Sequence, residues 1–102
     1  MSTLHTVNKS PYSNSSLLSC IKICSKSDAI LLLEDGVFGV LTSTPESKLL
    51  LQLALSGTKV FAISADVKAR GLTDKLPPFI EPIDYNNFVQ LSIEYRCIQS
   101  WY

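Results

Sequence analysis

The stretch Asp28-Ala29-Ile30-Leu31-Leu32-Leu33-Glu34-Asp35-Gly36 decides the fold of this chain. It is a continuous apolar run that ends in two acidic residues and a glycine. This pattern is typical of a strand buried on both faces, as in a parallel sheet covered by helices. A second run, Lys59-Val60-Phe61-Ala62-Ile63, has the same character and predicts another buried strand.

Segments with helical and strand patterns alternate around these two strands. A short last strand is predicted at 81–83, and Pro82 places it at a sheet edge because proline cannot donate to a ladder. The alternation predicts an α/β three-layer sandwich with a mostly parallel central sheet of four to five strands, in one domain spanning residues 1–102. The other predicted elements are a first strand at 4–7, a short helix at 37–41, and helices from about 16 to 25, 46 to 55, 65 to 70 and 86 to 100.

Two apolar stripes follow the predicted last helix on roughly opposite faces. The first starts at Phe88 and continues through positions 91, 95 and 98; the second starts at Val89 and continues through positions 93 and 97. A helix that is apolar on two faces is buried on two sides, and in a one-domain protein the second side is most simply a partner subunit. The predicted interface residues are Val89, Ile93, Cys97 and Trp101.

Composition limits the classes of function. Nine basic residues balance nine acidic ones, so the formal net charge is zero, which disfavours direct nucleic-acid binding. Hydrophobic residues make up 46% of this 102-residue chain, an excess that we expect other subunits to cover. No apolar run approaches the 18 or so residues that span a membrane. An odd number of cysteines without an apolar signal segment predicts a cytoplasmic protein with reduced thiols.

The sequence lacks the motifs of several kinds of site. The four glycines form neither a G-x-G-x-x-G fingerprint nor a P-loop, and no G-x-S-x-G elbow is present. Cys20 and Cys24 share a helix face and would be half of a zinc site, but the remaining candidates, His5 and Cys97, lack ligand-pair spacing. We therefore predict no metal and no cofactor. As the single histidine, His5 is a structural residue, a catalytic base or a neighbour that tunes a thiol.

Cys20 is the leading candidate for chemistry. With Leu17 at the origin of a helical projection, Ile21 and Cys24 fall in the middle of the apolar stripe and Cys20 at its edge. We expect Cys24 in the core and Cys20 at the rim of a cleft or subunit interface, where a thiol can ionise.

Charged residues at the carboxyl edge of the predicted sheet are a further candidate. Glu34 and Asp35 follow one strand, and Asp66, Lys68 and Arg70 follow the next. Open α/β sheets bind ligands at this edge. The alternatives are a strand-ending turn for the first pair, and a solvated face or structural pairing with a neighbouring chain for the second group.

Several segments together resemble the DsrH/TusB family of sulfur-relay subunits over essentially the whole chain. Their order and spacing carry the resemblance, and Trp101 closes the chain as in these proteins. The matching segments are Leu4-His5-Thr6-Val7-Asn8-Lys9-Ser10-Pro11, Leu31-Leu32-Leu33-Glu34-Asp35-Gly36-Val37, Asp66-Val67-Lys68-Ala69-Arg70-Gly71-Leu72 and Ile83-Asp84-Tyr85-Asn86-Asn87-Phe88-Val89-Gln90-Leu91.

The resemblance implies a DsrE-like fold and a place as the smallest subunit of a dimer of heterotrimers. The implied partners are DsrE/TusD-like and DsrF/TusC-like subunits, with DsrC/TusE-like and TusA-like proteins as sulfur carriers. Such complexes pass sulfur as a cysteine persulfide, and the main sulfur-carrying cysteine is expected on the DsrE/TusD-like partner.

Cys20 helps to separate the two branches of the family. It is similar in position to a helix cysteine of DsrH from sulfur oxidisers, and the surrounding Leu17-x-Ser19-Cys20-x-Lys22 is similar too. The resemblance therefore implies a subunit for intracellular sulfur oxidation, with Cys20 as candidate persulfide thiol. The alternatives are a TusB-type subunit for 2-thiouridine synthesis in tRNA, and a structural subunit without its own reactive thiol.

Overall fold

The structure is a computed structural model, and it describes residues 2–101. Within that range five strands form one all-parallel sheet, which confirms the predicted α/β class and mostly parallel sheet. The elements in chain order are β1 (Thr3–Val7), α1 (Ser16–Ile23), β2 (Ala29–Leu32), a 3-10 helix (Glu34–Val40), α2 (Pro45–Leu55), β3 (Lys59–Ile63), α3 (Ser64–Ala69), a short 3-10 turn (Thr73–Lys75), β4 (Ile80–Ile83), α4 (Tyr85–Glu94) and β5 (Cys97–Trp101).

The strand order β4-β3-β2-β1-β5 explains how the helices are divided between the two faces. The chain steps in one direction from β1 to β4 and then returns across the sheet to β5. Because parallel crossovers share one hand, the returning helix lies on the opposite face from the first three. Two hydrophobic clusters match this division: one contains side chains of α1, α2 and α3, and the other packs against α4. The three-layer prediction is confirmed.

The end of the chain differs from the prediction. We predicted a helix to about residue 100, but α4 ends at Glu94, Tyr95 has an extended backbone, and residues 97–101 form β5. The free edge of β1 accounts for the difference, since it pairs with five residues of β5 and Ser2 accepts hydrogen bonds from Arg96 and Cys97. Tertiary pairing thus overrides the helical periodicity.

Two smaller features position the strand ends. Pro82 lies in β4, which is an edge strand as predicted, although β4 is not the last strand. Gly36 lies against the end of β1, where a β-carbon would come within 2.0 Å of the Val7 carbonyl oxygen. Glycine is therefore required for the 3-10 helix to pack on β1. Within residues 2–101, no helix combines the length and apolar character needed to cross a bilayer.

Candidate functional site

Cys20 is fully buried, and its predicted place at a rim is wrong. Its side chain lies in the core cluster with Leu17 and Ile21 and has 0% exposure. The helix α1 contacts β1, β5 and α2, so its buried arc is wider than the stripe drawn from its own sequence. The prediction missed β5, which widens the sheet beneath this helix.

Cys24 is the more accessible of the two thiols of α1, which reverses the predicted order. The helix ends at Ile23, and Cys24 caps it with an extended backbone (φ −68°, ψ 132°). A position that the helical projection places in the core therefore leaves the helical path and becomes half-buried. The third thiol, Cys97, is exposed, and all three cysteines are free.

The electrostatic surroundings keep the thiols of α1 protonated at neutral pH. Burial raises the pKa of Cys20 far above the ordinary range of a thiol, and the nearby Cys24 and Asp28 raise it further. Burial raises the pKa of Cys24 to about 11, again with a contribution from Asp28. Since the thiolate is the nucleophile and metal ligand, neither thiol is activated in this conformation.

His5 lies in a buried hydrogen-bond chain beside Cys24. Its Nε2 is 3.0 Å from Asp28 Oδ2, and its Nδ1 is 3.1 Å from the indole Nε1 of Trp101. An indole N–H only donates, so Nδ1 is the acceptor and Nε2 carries the hydrogen that is donated to Asp28. Both ring nitrogens are thus occupied in this conformation, which leaves neither available as a base for a thiol.

Asp28 organises the amino-terminal edge of the sheet. Besides His5, its carboxylate accepts hydrogen bonds from the backbone N–H groups of Thr3 (2.9 Å) and Ser25 (3.1 Å). Burial acts to raise the pKa of Asp28, but these hydrogen bonds outweigh it and hold the pKa below its usual value. Asp28 joins the segment before β2, the end of α1 and the start of β1.

The hydrogen bonds of His5 also decide whether this cluster suits a metal. Ligand atoms of His5, Cys24 and Asp28 lie within 4.8 Å of one another. A metal on Nε2 would require Nδ1 to carry the ring hydrogen, and Nδ1 faces the N–H donor of Trp101. The geometry therefore fits a structural hydrogen-bond chain better than a metal centre.

Charged residues at the carboxyl edge of the sheet pair within the chain. The side chain of Arg70 contacts Asp35 Oδ1 through Nε (3.0 Å) and its second terminal nitrogen (2.9 Å). Asp66 accepts hydrogen bonds from the Glu34 backbone N–H (2.8 Å) and the Tyr85 hydroxyl (3.4 Å). Structural pairing within the chain therefore accounts for Asp35, Asp66 and Arg70.

The predicted interface residues do not form one stripe. Val89 and Ile93 are exposed on α4, whereas Cys97 and Trp101 lie on β5, beside Thr3 and Val7 of β1. Partnered residues of parallel strands point to the same face, so Trp101 faces the α1–α3 side with Val7, where it packs against the core. Cys97 belongs to a strand and not to the second stripe of a helix.

Asp28 as a site residue and the contact between His5 and Trp101 were both missed by the sequence-based predictions. A usable signal existed: an acidic residue that leads directly into a buried apolar strand needs a hydrogen-bond donor, and the chain has a single histidine. The contact with Trp101 joins residues 96 positions apart, which no local pattern reveals.

Comparisons with known proteins agree with this fold. The family described as "DsrH like protein" matches residues 9–97. Protein TusB of Escherichia coli O1:K1 is 34% identical over 98 residues, which cover 96% of this chain and 99% of that protein. The crystal structure of the Escherichia coli ychN protein superposes with a TM-score of 0.84 at 16% identity and covers 99% of this chain and 100% of that chain, so it supports the fold alone.

A second solved structure gives the same result at higher identity. The solution structure of protein Tm0979 from Thermotoga maritima has a TM-score of 0.63 and 26% identity, and covers 90% of this chain and 92% of that chain. The family match and the TusB relative each extend over most of the chain, through both the central strands and α4. This chain therefore belongs to the DsrH/TusB family.

Proposed function

We propose that this chain is a TusB-type subunit of a cytoplasmic sulfur-relay complex, in which it acts as a docking surface for TusD/DsrE-like and TusC/DsrF-like subunits. Its membership of the DsrH/TusB family supports a sulfur-relay subunit, and TusB relatives matched over nearly their whole length favour the TusB branch. The observation that carries the docking role is the apolar outer side of α4.

We call Tyr85, Val89 and Ile93 the α4 outer face. They are spaced four residues apart, so they form one line along the helix. Their exposed fractions are 50%, 59% and 79%, while the opposite side of α4 packs on the sheet through Phe88 and Leu91. Burying a Val or Ile side chain stabilises a complex by up to about 1.5–3 kcal/mol. A partner that covers this face gains that contribution.

The thiols of α1 support the same proposal, because neither of them is an accessible thiolate. A sulfur carrier needs a thiolate that reaches its donor. Cys20 is inaccessible and protonated, Cys24 has a pKa of about 11, and His5 has no free nitrogen to act as a base. In this proposal neither thiol of α1 is the sulfur carrier, and the main sulfur-carrying cysteine is on the TusD/DsrE-like partner.

The test compares two exposed aliphatic residues on different helices. Ile93 of α4 and Leu55 of α2 are 79% and 80% exposed, so Ile93→Asp and Leu55→Asp introduce the same charge at equally accessible positions. The chain is co-expressed with its TusC- and TusD-like partners, and complex formation is measured by size exclusion and by titration. We expect Ile93→Asp to weaken association by at least about thirtyfold, as for an interface hot spot.

Leu55→Asp is expected to leave association unchanged, and urea unfolding of each free chain checks that both variants fold. Equal effects of the two substitutions would show that the α4 outer face is not the docking surface. A wild-type chain that remains alone in the presence of both partners would contradict the proposed function itself.

A second candidate is a DsrH-type subunit of a DsrEFH complex in sulfur oxidation, exchanging sulfur with a DsrC- or TusA-like carrier through a Cys20 persulfide. The residues around Cys20, from Leu17 to Lys22, favour it. It requires α1 to move away from the core, since Cys20 is fully buried.

Deleting the gene distinguishes the two branches. Loss of 2-thiouridine from tRNA is expected for the TusB role, and loss of sulfur oxidation with unchanged tRNA for the DsrH role. The role of the thiol is tested with Cys20→Ser in an assembled complex. Normal sulfur relay by this variant supports a structural subunit, whereas assembly without relay supports the persulfide.

A further inference from the structure

His5 is held in an arrangement that suits only its neutral form. The indole N–H of Trp101 donates to Nδ1 at 3.1 Å, and Nε2–H donates to Asp28 at 3.0 Å. Protonated histidine carries hydrogen on both ring nitrogens. Protonation of His5 would therefore place two N–H donors against each other at the contact with Trp101.

The two partners of His5 respond in opposite ways to a charge on its ring. The hydrogen bond to Asp28 becomes an ion pair and gains strength, since charge-assisted hydrogen bonds are roughly twice as strong as neutral ones. Trp101 loses its acceptor. Trp101 is also the less firmly held partner, because it is half-buried on an edge strand, whereas Asp28 is fixed by two backbone N–H groups.

The other titratable groups near His5 keep their charge state between about pH 8 and 5, the range in which histidine ordinarily changes charge. Burial acts to raise the pKa of Asp28, but hydrogen bonds outweigh it and lower that pKa. Burial raises the pKa of the Cys20 and Cys24 thiols and of the Tyr95 phenol, which directly follows α4. β5 contributes the Trp101 indole, which does not titrate.

We propose that the hydrogen bond between Trp101 and His5 is a pH-sensitive latch on the carboxyl end of β5. When His5 takes up a proton, its hydrogen bond to Asp28 remains, whereas its hydrogen bond to Trp101 breaks. The Trp101 indole then leaves the core of the α1–α3 side. The end of β5, an edge strand, then becomes accessible. This device goes beyond the proposed docking role and holds for the chain by itself.

The chain has one tryptophan and one histidine, so each gives its own spectroscopic signal. Acrylamide quenching and the emission wavelength of Trp101 are measured from pH 8 to pH 5 on the full chain, with the His5 ring followed by NMR and the fold by circular dichroism. We expect quenching to increase and emission to shift to longer wavelength with the same midpoint as His5. The far-ultraviolet spectrum stays constant.

Two variants make the result specific. In His5→Gln, the amide oxygen can accept from Trp101 and the amide nitrogen can donate to Asp28, and neither titrates, so the pH response of Trp101 should vanish. In Trp101→Phe, the opposing donor is gone, and His5 should bind its proton roughly three- to tenfold more tightly, the effect of one net hydrogen bond. If His5→Gln does not fold, Trp101→Phe provides the test.

The proposal is overturned if His5 titrates while Trp101 remains equally shielded, or if His5→Gln shows the same pH response as the wild type. An unchanged proton affinity of His5 in Trp101→Phe overturns it as well, because the coupling between the two residues must be reciprocal. A folded chain in which His5 stays neutral down to pH 5 has the same consequence.

Discussion

The two faces of the sheet are built in different ways. The α1–α3 side buries residues from each of its three helices, among them Leu17, Leu50 and Val67. On the opposite side, not one of the described residues 85–94 of α4 is buried. A face that packs on itself is complete within one chain, whereas a face held by one exposed helix has apolar surface left for a partner.

The helix ends show the same difference. Across the described range 2–101, α1, α2 and α3 begin without a side-chain cap, whereas α4 begins with a capping box in which Asp84 and Asn87 hydrogen bond reciprocally. The helices of the α1–α3 side are held mainly by packing. α4 gains less from packing in the free chain, and local hydrogen bonds stabilise its start.

The sharpest test of how tightly the α1–α3 side is packed is the protection of Cys20 from a thiol reagent. Cys97 is exposed and should react first, Cys24 more slowly because of its raised pKa and partial burial, and Cys20 by way of unfolding. With a typical unfolding free energy, Cys20 should react at least about a thousandfold more slowly than Cys97. Mass spectrometry of peptides after timed alkylation measures the three rates.

The denatured chain is the control, since all three thiols should then react at comparable rates. A native Cys20 that reacts as fast as Cys24 would mean that α1 opens locally. That outcome would weaken the contrast between the two sides and would favour the persulfide role of Cys20.

Matched truncations compare the two sides directly. Leu50 has 0% exposure on the α1–α3 side, and Leu50→Ala should lower the free energy of unfolding by about 2–5 kcal/mol, from lost burial and the cavity that remains. Val89 is exposed on α4, and Val89→Ala should change it by no more than about 0.5 kcal/mol in the free chain. Urea unfolding at pH 7 measures both values, and similar losses would contradict the idea that α4 leaves its outer face unused.

The sequence predicts the fold well where a single pattern decides the element. The apolar runs of β2 and β3 are strands, because a sheet covered by helices on both faces buries every side chain of such short runs. It fails at β5, where the apolar spacing of α4 continues through Ile98 and no glycine or proline separates helix from strand. The pairing of β5 with β1 is nonlocal, so periodicity alone assigns these residues to the helix.

The candidate site was harder to predict than the fold for a related reason. The exposure of Cys20 depends on β5 and α2, and the hydrogen-bond chain of His5 depends on residues 23 and 96 positions away. A helical projection describes one helix against a flat surface. It cannot show how many neighbours close around that helix.

A substitution of Asp28 measures how much hydrogen bonding at the amino-terminal edge of the sheet stabilises the α1–α3 side. Asp28→Asn removes the charge and directs an amide N–H toward existing donors, so we expect a loss of about 1–3 kcal/mol at pH 7. The folded pKa of Asp28 is lowered, so its contribution is complete above the ordinary value of 3.8 and is lost as the pH falls through the folded value.

Urea unfolding from pH 7 to pH 2 should therefore show a smaller decline for Asp28→Asn than for the wild type. Asp74, an exposed carboxylate in the short 3-10 turn, provides the control, since Asp74→Asn should follow the wild-type curve within about 0.5 kcal/mol. Parallel curves for Asp28→Asn and the wild type would remove Asp28 from the groups that stabilise this side.

The smallest expected effect concerns the start of α4. Asp84→Ala removes the side chain that accepts from the Asn87 N–H at 2.8 Å, and should cost about 1 kcal/mol. Asp84→Asn should retain most of the stability, because asparagine caps helices about as well as aspartate. Partner binding sharpens the comparison: if a partner covers α4, packing takes over part of the role of the cap. The stability lost in Asp84→Ala should then be smaller in the assembled complex than in the free chain, and an equal loss in both would indicate that α4 stays uncovered.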